Sequence, residues 1–275
     1  MTARRRRRAS TVRDRLEALM TRRQSALVPL LPIGWPSPLI FLEMAVEVAR
    51  CGATILEFQM PFSDSLADDP LMQAAARETL EQGLDFDQAM DLAGQVIPRL
   101  SAPAVLVTCY NPLLRGGVEN RCEAIASRGF KGLIVTDLPP EEARRLETAA
   151  ERCDLDVIFG VSATSSRTRM QLACLHSGGF VSLALPEGGK ASRQEMEEVL
   201  KKLIREVRRF TVLPLCVTQG STSRDLVVAA ASLADGCVMG STYVSVIEKA
   251  PESQAVAAAG RLTVELRDAL ARART

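Results

Sequence analysis

With one histidine, His176, and no Cys-x-x-Cys pair among its 7 cysteines, the chain lacks a set of zinc ligands. The cysteines (Cys51, Cys109, Cys122, Cys153, Cys174, Cys216 and Cys237) are odd in number and scattered through apolar patterns. They read as small buried hydrophobes in a reducing, cytoplasmic setting rather than as a disulfide frame. His176 stands just before Ser177-Gly178-Gly179, where a capping or packing role is expected. Charge of one sign is also missing: 34 Lys+Arg against 33 Asp+Glu give a net +1, so neither nucleic acid nor an anionic membrane is expected as partner. The exception is the arginine run Arg4 to Arg8, in a basic tail over residues 1–9 that is expected to be solvated and disordered. No apolar run follows it, because residues 10–23 are charged and helical in pattern. A secretory leader or a membrane span is therefore not expected.

What the chain does have is alternation. Short, nearly continuous apolar runs occur near residues 27–31, 53–58, 104–109, 132–135, 157–161, 180–185, 213–217 and 236–239. Unbroken apolar runs are the mark of parallel strands covered on both faces. Amphipathic helical patterns separate them, for example at 39–50, 140–152, 193–209 and 224–232, with Pro38, Pro140 and Ser223 as start signals. Eight repeats in a chain of 275 residues predict one α/β domain over residues 10–275, a (β/α)8 TIM barrel. A helix over residues 11–20 precedes the first strand, and another over 254–272 ends the chain. In such a barrel the chemistry lies at the C-terminal ends of the strands.

The second run leads into the most informative segment, Ile55-Leu56-Glu57-Phe58-Gln59-Met60-Pro61-Phe62-Ser63-Asp64-Ser65-Leu66-Ala67-Asp68-Asp69-Pro70. Glu57 at the end of a buried strand sits in a low-dielectric mouth, where a raised pKa suits it to general acid or base work. Asp68, in the loop, can face the same mouth as a charge stabiliser, and two carboxyls in unlike surroundings divide those roles. The competing reading is purely structural, with the aspartates capping the next helix.

This segment resembles the signature of the tryptophan synthase alpha subunit family, roughly E-L-G-I/V-P-F-S-D-P-L-A-D-G-P. The resemblance extends, in order and spacing, to Leu27-Val28-Pro29-Leu30, Tyr110-Asn111-Pro112, Gly132 to Pro140 and Asp235 to Ser241. It implies a lyase that splits indole-3-glycerol phosphate, or a related phosphorylated substrate, by a cofactor-free retro-aldol-type cleavage. Glu57 matches the family's general acid/base, and Asp68 the carboxylate that engages the indole N–H. Tyr110 and Ile134, with Leu30, Gly160 and Ser182, fall where the family lines its substrate pocket. Lys190, Gly220, Ser221, Gly240 and Ser241 fall where phosphate is held, by loop backbone and a short helix N-terminus.

Several positions depart from the family. Leu30, Gly160 and Ser182 replace a larger aromatic, aliphatic and tyrosine residue, so a wider pocket is expected, one poorly filled by indole-3-glycerol phosphate and suited to specialised metabolism. The lid threonine is replaced by Lys190, and the strand-seven G-F-G-I by Thr218-Gln219-Gly220-Ser221. At loops that face the beta subunit in the family, Trp35 and Ser65 replace an aspartate and a proline, and Asp69 replaces a glycine. These changes argue against an ordinary beta-subunit complex. An alternative function is Mg2+-dependent cyclisation of a prenyl diphosphate, with Asp64, Asp68 and Asp69 as metal ligands. A binding protein without catalysis is a further alternative.

Overall fold

The structure, a computed structural model, describes residues 11–185, 193–218 and 224–273. Nine strands are present among the described residues: β1 (Ala26–Pro32), β2 (Leu56–Gln59), β3 (Ala104–Thr108), β4 (Gly132–Val135), β5 (Asp156–Ile158), β6 (Gly160–Ser162), β7 (Val181–Ala184), β8 (Leu215–Thr218) and β9 (Gly236–Met239). All pair in parallel, in the order β5-β4-β3-β2-β1-β9-β8-β7-β6. The two ends of this sheet, β5 and β6, are separated in sequence by Phe159 alone, so the sheet closes on itself as a barrel. The run expected at residues 157–161 is thus one stave that divides its pairing. Its first half bonds to β4 and its second to β7. Phe159 spans the gap, its N–H donating to Ser177 Oγ (3.0 Å) and its C=O accepting from Ser182 N–H (3.1 Å).

The helix Pro38–Arg50 begins as expected: Ser37 caps it, accepting from Ile40 N–H, and Pro38 occupies the first turn, where a missing N–H costs nothing. The expected helix start at Pro140 is displaced, and the helix runs Arg144–Arg152. The two prolines at 139 and 140 accept, through their carbonyls, from Glu142 and Ala143 N–H groups, forming a turn before the helix proper. The N-terminal helix Thr11–Met20 buries Val12 and Leu16. Val12 lies against Gly179, just ahead of β7, so this helix covers the N-terminal end of the barrel. At Gly179 φ is +58°, and an added Cβ would approach Val12 Cγ1 to 3.0 Å, so a side chain there meets both strain and crowding. No helix among the described residues is long and apolar enough to cross a membrane.

Side-chain alternation in β2 sets up the site. Phe58 packs edge-on against Phe41, on the helix Pro38–Arg50, at 5.3 Å, and against Phe130 at 6.1 Å. Phe58 therefore faces the helical layer, and its neighbours Glu57 and Gln59 face the barrel interior.

Candidate active site

Glu57 is buried, at 3 % exposure, with Leu30 of β1 and Val105 of β3 as its register partners. Burial raises its carboxyl pKa from the ordinary 4.5 to about 8. Its Oε1 has no hydrogen-bond partner among the described residues, which leaves it open to a ligand. A carboxylic acid that is neutral at pH 7, with a free oxygen in an apolar lumen, can both give and take a proton. Across the interior, Cys216 of β8 is near enough for Glu57's charge to add to the burial that holds its thiol well above the usual range.

Gln59 is the next interior-facing residue of β2, one step nearer the mouth by roughly 6–7 Å. Its Nε2 donates to Asp68 Oδ2, and Ser65 Oγ donates to the same oxygen. Asp68, in the loop between β2 and the helix Pro70–Glu81, is thereby held above the stave that carries Glu57. Burial raises its pKa, the hydrogen bonds from Ser65 and Gln59 lower it, and the neighbouring Asp69 charge raises it; the net shift is upward. From the next helix, Gln73 Nε2 donates to the carbonyls of Asp68 (2.7 Å) and Ser65 (3.2 Å), tying down the loop backbone.

The three aspartates considered for Mg2+ do not converge. Asp64 is exposed and accepts from its neighbour Ser63 at 2.6 Å. Asp69 caps the helix Pro70–Glu81, accepting from Leu71 N–H (2.9 Å) and Met72 N–H (3.2 Å) through Oδ1, and from Ser241 through Oδ2. Asp68 faces Gln59 and Ser65. Among the described residues no three His, Cys, Asp or Glu side chains are grouped to hold a metal ion. The three carboxylates that stand close in sequence thus have three separate sets of partners in the fold.

The remaining expected site residues are spread around the same mouth. Leu30, 8 % exposed, stands beside Glu57 in register. Ile134 is half-buried in β4, and Tyr110, also half-buried, opens the helix Tyr110–Gly116 after β3, its N–H donating to Asp137 at 2.7 Å. Gly160 and Ser182 are register partners on β6 and β7. Among the described residues, a Cβ at Gly160 would meet nothing closer than the Ser182 carbonyl oxygen at 4.0 Å. Ser182 Oγ bonds Thr218 Oγ1 at 2.8 Å, making that wall polar. Gly240 precedes the helix Ser241–Glu248, and an added Cβ there would come within 2.8 Å of Met72 Sδ, which would have to shift. Ser241 is buried and its hydroxyl is engaged by Asp69, so an anion at this corner would rely on backbone N–H groups. Lys190, Gly220 and Ser221 lie outside the described residues. His176 packs on Phe159 and pairs with Glu147 at 2.8 Å, a structural placement as expected.

Gln59 was overlooked in the sequence. Its signal was available, because the family signature carries glycine two residues after the glutamate, and glutamine there adds an interior amide.

Comparison with known proteins decides the family. The family model described as tryptophan synthase alpha chain matches residues 16–271. The chain belongs to the tryptophan synthase alpha chain family. The alpha chain of Synechococcus sp. (strain CC9902) is 35% identical over 262 residues, covering 95% of this chain and 97% of the relative. That of Arabidopsis thaliana is 34% identical over 223 residues, 81% of each chain. Among solved structures, Mycobacterium tuberculosis tryptophan synthase superposes with a TM-score of 0.86 at 28% identity, covering 96% of this chain and 99% of that one. As a member of this family the chain is a carbon–carbon lyase of the tryptophan synthase alpha type.

The family membership overturns the expectation against a beta-subunit complex, since the relatives are alpha chains of tryptophan synthase. The structure supplies the physical reason. Trp35 is not displayed toward a partner: it is 3 % exposed, and its Nε1 donates to Glu78 Oε2 at 2.8 Å. Ser65 and Asp69 are likewise buried and bonded within the chain. The substitutions that suggested an altered partner surface are absorbed inside the fold.

Proposed function

We propose that the chain cleaves indole-3-glycerol phosphate, or a ring-substituted relative, to an indole and glyceraldehyde 3-phosphate by acid–base chemistry of its own carboxyl groups, without a cofactor. The observation that carries this reading is Glu57, buried and neutral in the interior, two residues before the amide that holds Asp68. Protonated Glu57 delivers its proton to the indole carbon that bears the glycerol chain. The ring nitrogen becomes positive, and Asp68 accepts a hydrogen bond from its N–H and stabilises the charge. The carbon–carbon bond then breaks: its electron pair restores the indole, the side-chain hydroxyl becomes the aldehyde, and Glu57 recovers a proton from that hydroxyl. The proton balance closes on one residue.

The phosphate would be bound by backbone N–H groups at Ser241 and by Lys190, Gly220 and Ser221. The room that the described residues leave at Gly160 supports a substrate wider at the ring than indole itself. The relatives' designation as alpha chains supports a beta chain as partner. The test is steady-state release of indole and glyceraldehyde 3-phosphate from indole-3-glycerol phosphate and ring-substituted analogues, with and without chelator. Turnover of none of them would defeat the proposal.

A further inference from the structure

We propose that Gln59 and Ser65 are positioning residues for Asp68, clamping one carboxylate oxygen so that the other is presented to the ligand. The clamp comes from two separate elements, the last residue of β2 and the loop itself, and both donors meet on Oδ2. Among the described residues no hydrogen bond engages Oδ1. Two donors on one oxygen fix the plane of a carboxylate that sits in a loop, where a side chain otherwise samples several rotamers. Gln73 fixes the backbone on either side through the Ser65 and Asp68 carbonyls, so the carboxylate is pinned at both ends. Cys109, at the start of the helix Tyr110–Gly116, supports the arrangement from below, its Sγ 3.7 Å from Ser65 Oγ and from Thr136 Oγ1.

Both clamp residues are departures from the family signature, which has glycine and proline at these positions. Neither of those can donate from a side chain. The pair therefore reads as a coupled device particular to this chain. Gln59 is suited to it because its amide is two-ended: Nε2 is spent on Asp68, while Oε1 is buried with no partner among the described residues. That oxygen faces the interior beside Glu57 and is available to a second N–H or O–H donor on the substrate.

This inference rests on the assignment of Asp68 above, so its test has a readout that needs no substrate. The unliganded protein, labelled with carboxyl-13C aspartate, is titrated by NMR, with the Asp68 signal assigned by its disappearance in Asp68→Asn. Donors to Oδ2 favour the ionised form, so the Asp68 midpoint should move to higher pH in Ser65→Ala and in Gln59→Leu, and return toward the original in Ser65→Thr. Among the described residues, the charged and polar groups facing Asp68 are Gln59, Ser65, Asp69 and, beyond Ser65, Cys109; the variants alter only the first two. With indole-3-glycerol phosphate as probe, each single variant should lower kcat about tenfold, the scale of one lost hydrogen bond to an ion, with KM changed less than twofold. An unmoved midpoint in both variants overturns the clamp. Should Gln59→Leu fail to fold, Ser65→Ala and its threonine rescue decide alone. A moved midpoint with turnover of neither indole-3-glycerol phosphate nor its ring-substituted analogues retains the clamp and defeats the proposed function; turnover with an unmoved midpoint does the reverse.

Discussion

Replacing Glu57 by glutamine keeps the side chain's shape and removes its proton, so it isolates the consequence of burying a carboxyl group. The folded-state pKa of about 8 stands above the ordinary 4.5. Below pH 4.5 the group is neutral in both folded and unfolded chains, and its burial carries no charge penalty. As pH rises beyond 4.5 the unfolded chain ionises freely while the folded one does not, so stability is lost progressively until the folded group itself ionises near pH 8. At about 1.4 kcal/mol per pH, that interval corresponds to a loss on the order of 4–5 kcal/mol, with roughly 3 kcal/mol already lost at pH 7. This is a large share of the 5–15 kcal/mol that typical domains possess. Glu57→Gln should abolish this part of the slope. A buried amide has its own packing and hydrogen-bonding cost, but that cost does not vary with pH, so the difference between the two stability curves reports the carboxyl alone. Urea denaturation of both proteins at half-unit steps from pH 4.5 to 9 measures it. The curves should converge at the acid end and separate toward pH 8, with the wild type falling away. Parallel curves would refute the neutral buried carboxyl, and with it the acid–base role. In the same variant, turnover should drop ~10²–10⁴-fold, and in the unmodified protein kcat/KM should decline above pH 8 as the acid form disappears.

Asp68→Asn should lower kcat about 10²–10³-fold by removing charge stabilisation at the ring nitrogen, while the alkaline limb set by Glu57 stays in place in a pH–rate profile. Asp69→Ala removes the cap of the helix Pro70–Glu81 and should cost about 0.5–2 kcal/mol in thermal denaturation. The same change frees the Ser241 hydroxyl and withdraws a carboxylate from the start of its helix, so inorganic phosphate should bind more tightly by calorimetry. Gly160→Leu with Ser182→Tyr fills the open wall between β6 and β7 and should lower KM for indole-3-glycerol phosphate while raising it for bulkier ring-substituted analogues. Equal effects on both would remove the argument from pocket width.

The parts of this molecule legible in the sequence are those governed by local chemistry. Eight apolar runs gave the staves because a strand covered on both faces must be apolar throughout. Ser37-Pro38 marked a helix start because cap and first turn are adjacent in sequence. Glu57 stood out because a carboxylate inside such a run has no other reason to be there. What escaped was decided by partners far along the chain. Phe159 interrupts a stave because its N–H goes to Ser177 and its carbonyl to Ser182, neither visible in the run itself. Trp35 read as a change to the beta-facing surface, because its bond to Glu78, 43 residues on, is invisible in the loop itself. Asp64, Asp68 and Asp69 resembled a metal cluster because spacing along a loop says nothing of direction. Their roles are separated by Ser63, by Gln59 with Ser65, and by a helix N-terminus with Ser241.

The same three-way division explains how the loop tolerates so many departures from its family at once. Proline and two glycines, which shape a loop through backbone restriction or freedom, are replaced by Ser65, Gln59 and Asp69, which shape it through side-chain hydrogen bonds. Each new side chain ends on another part of the same unit: Gln59 and Ser65 on Asp68, and Asp69 on the helix it caps and on Ser241 across the mouth. Two of these bonds are coupled: Gln59 and Ser65 donate to the same Asp68 oxygen, so removing either alters the carboxylate that the other holds. Interdependence of this kind makes single reversions to the family residues damaging, and the damage from two reversions within one bonded group less than the sum of the parts.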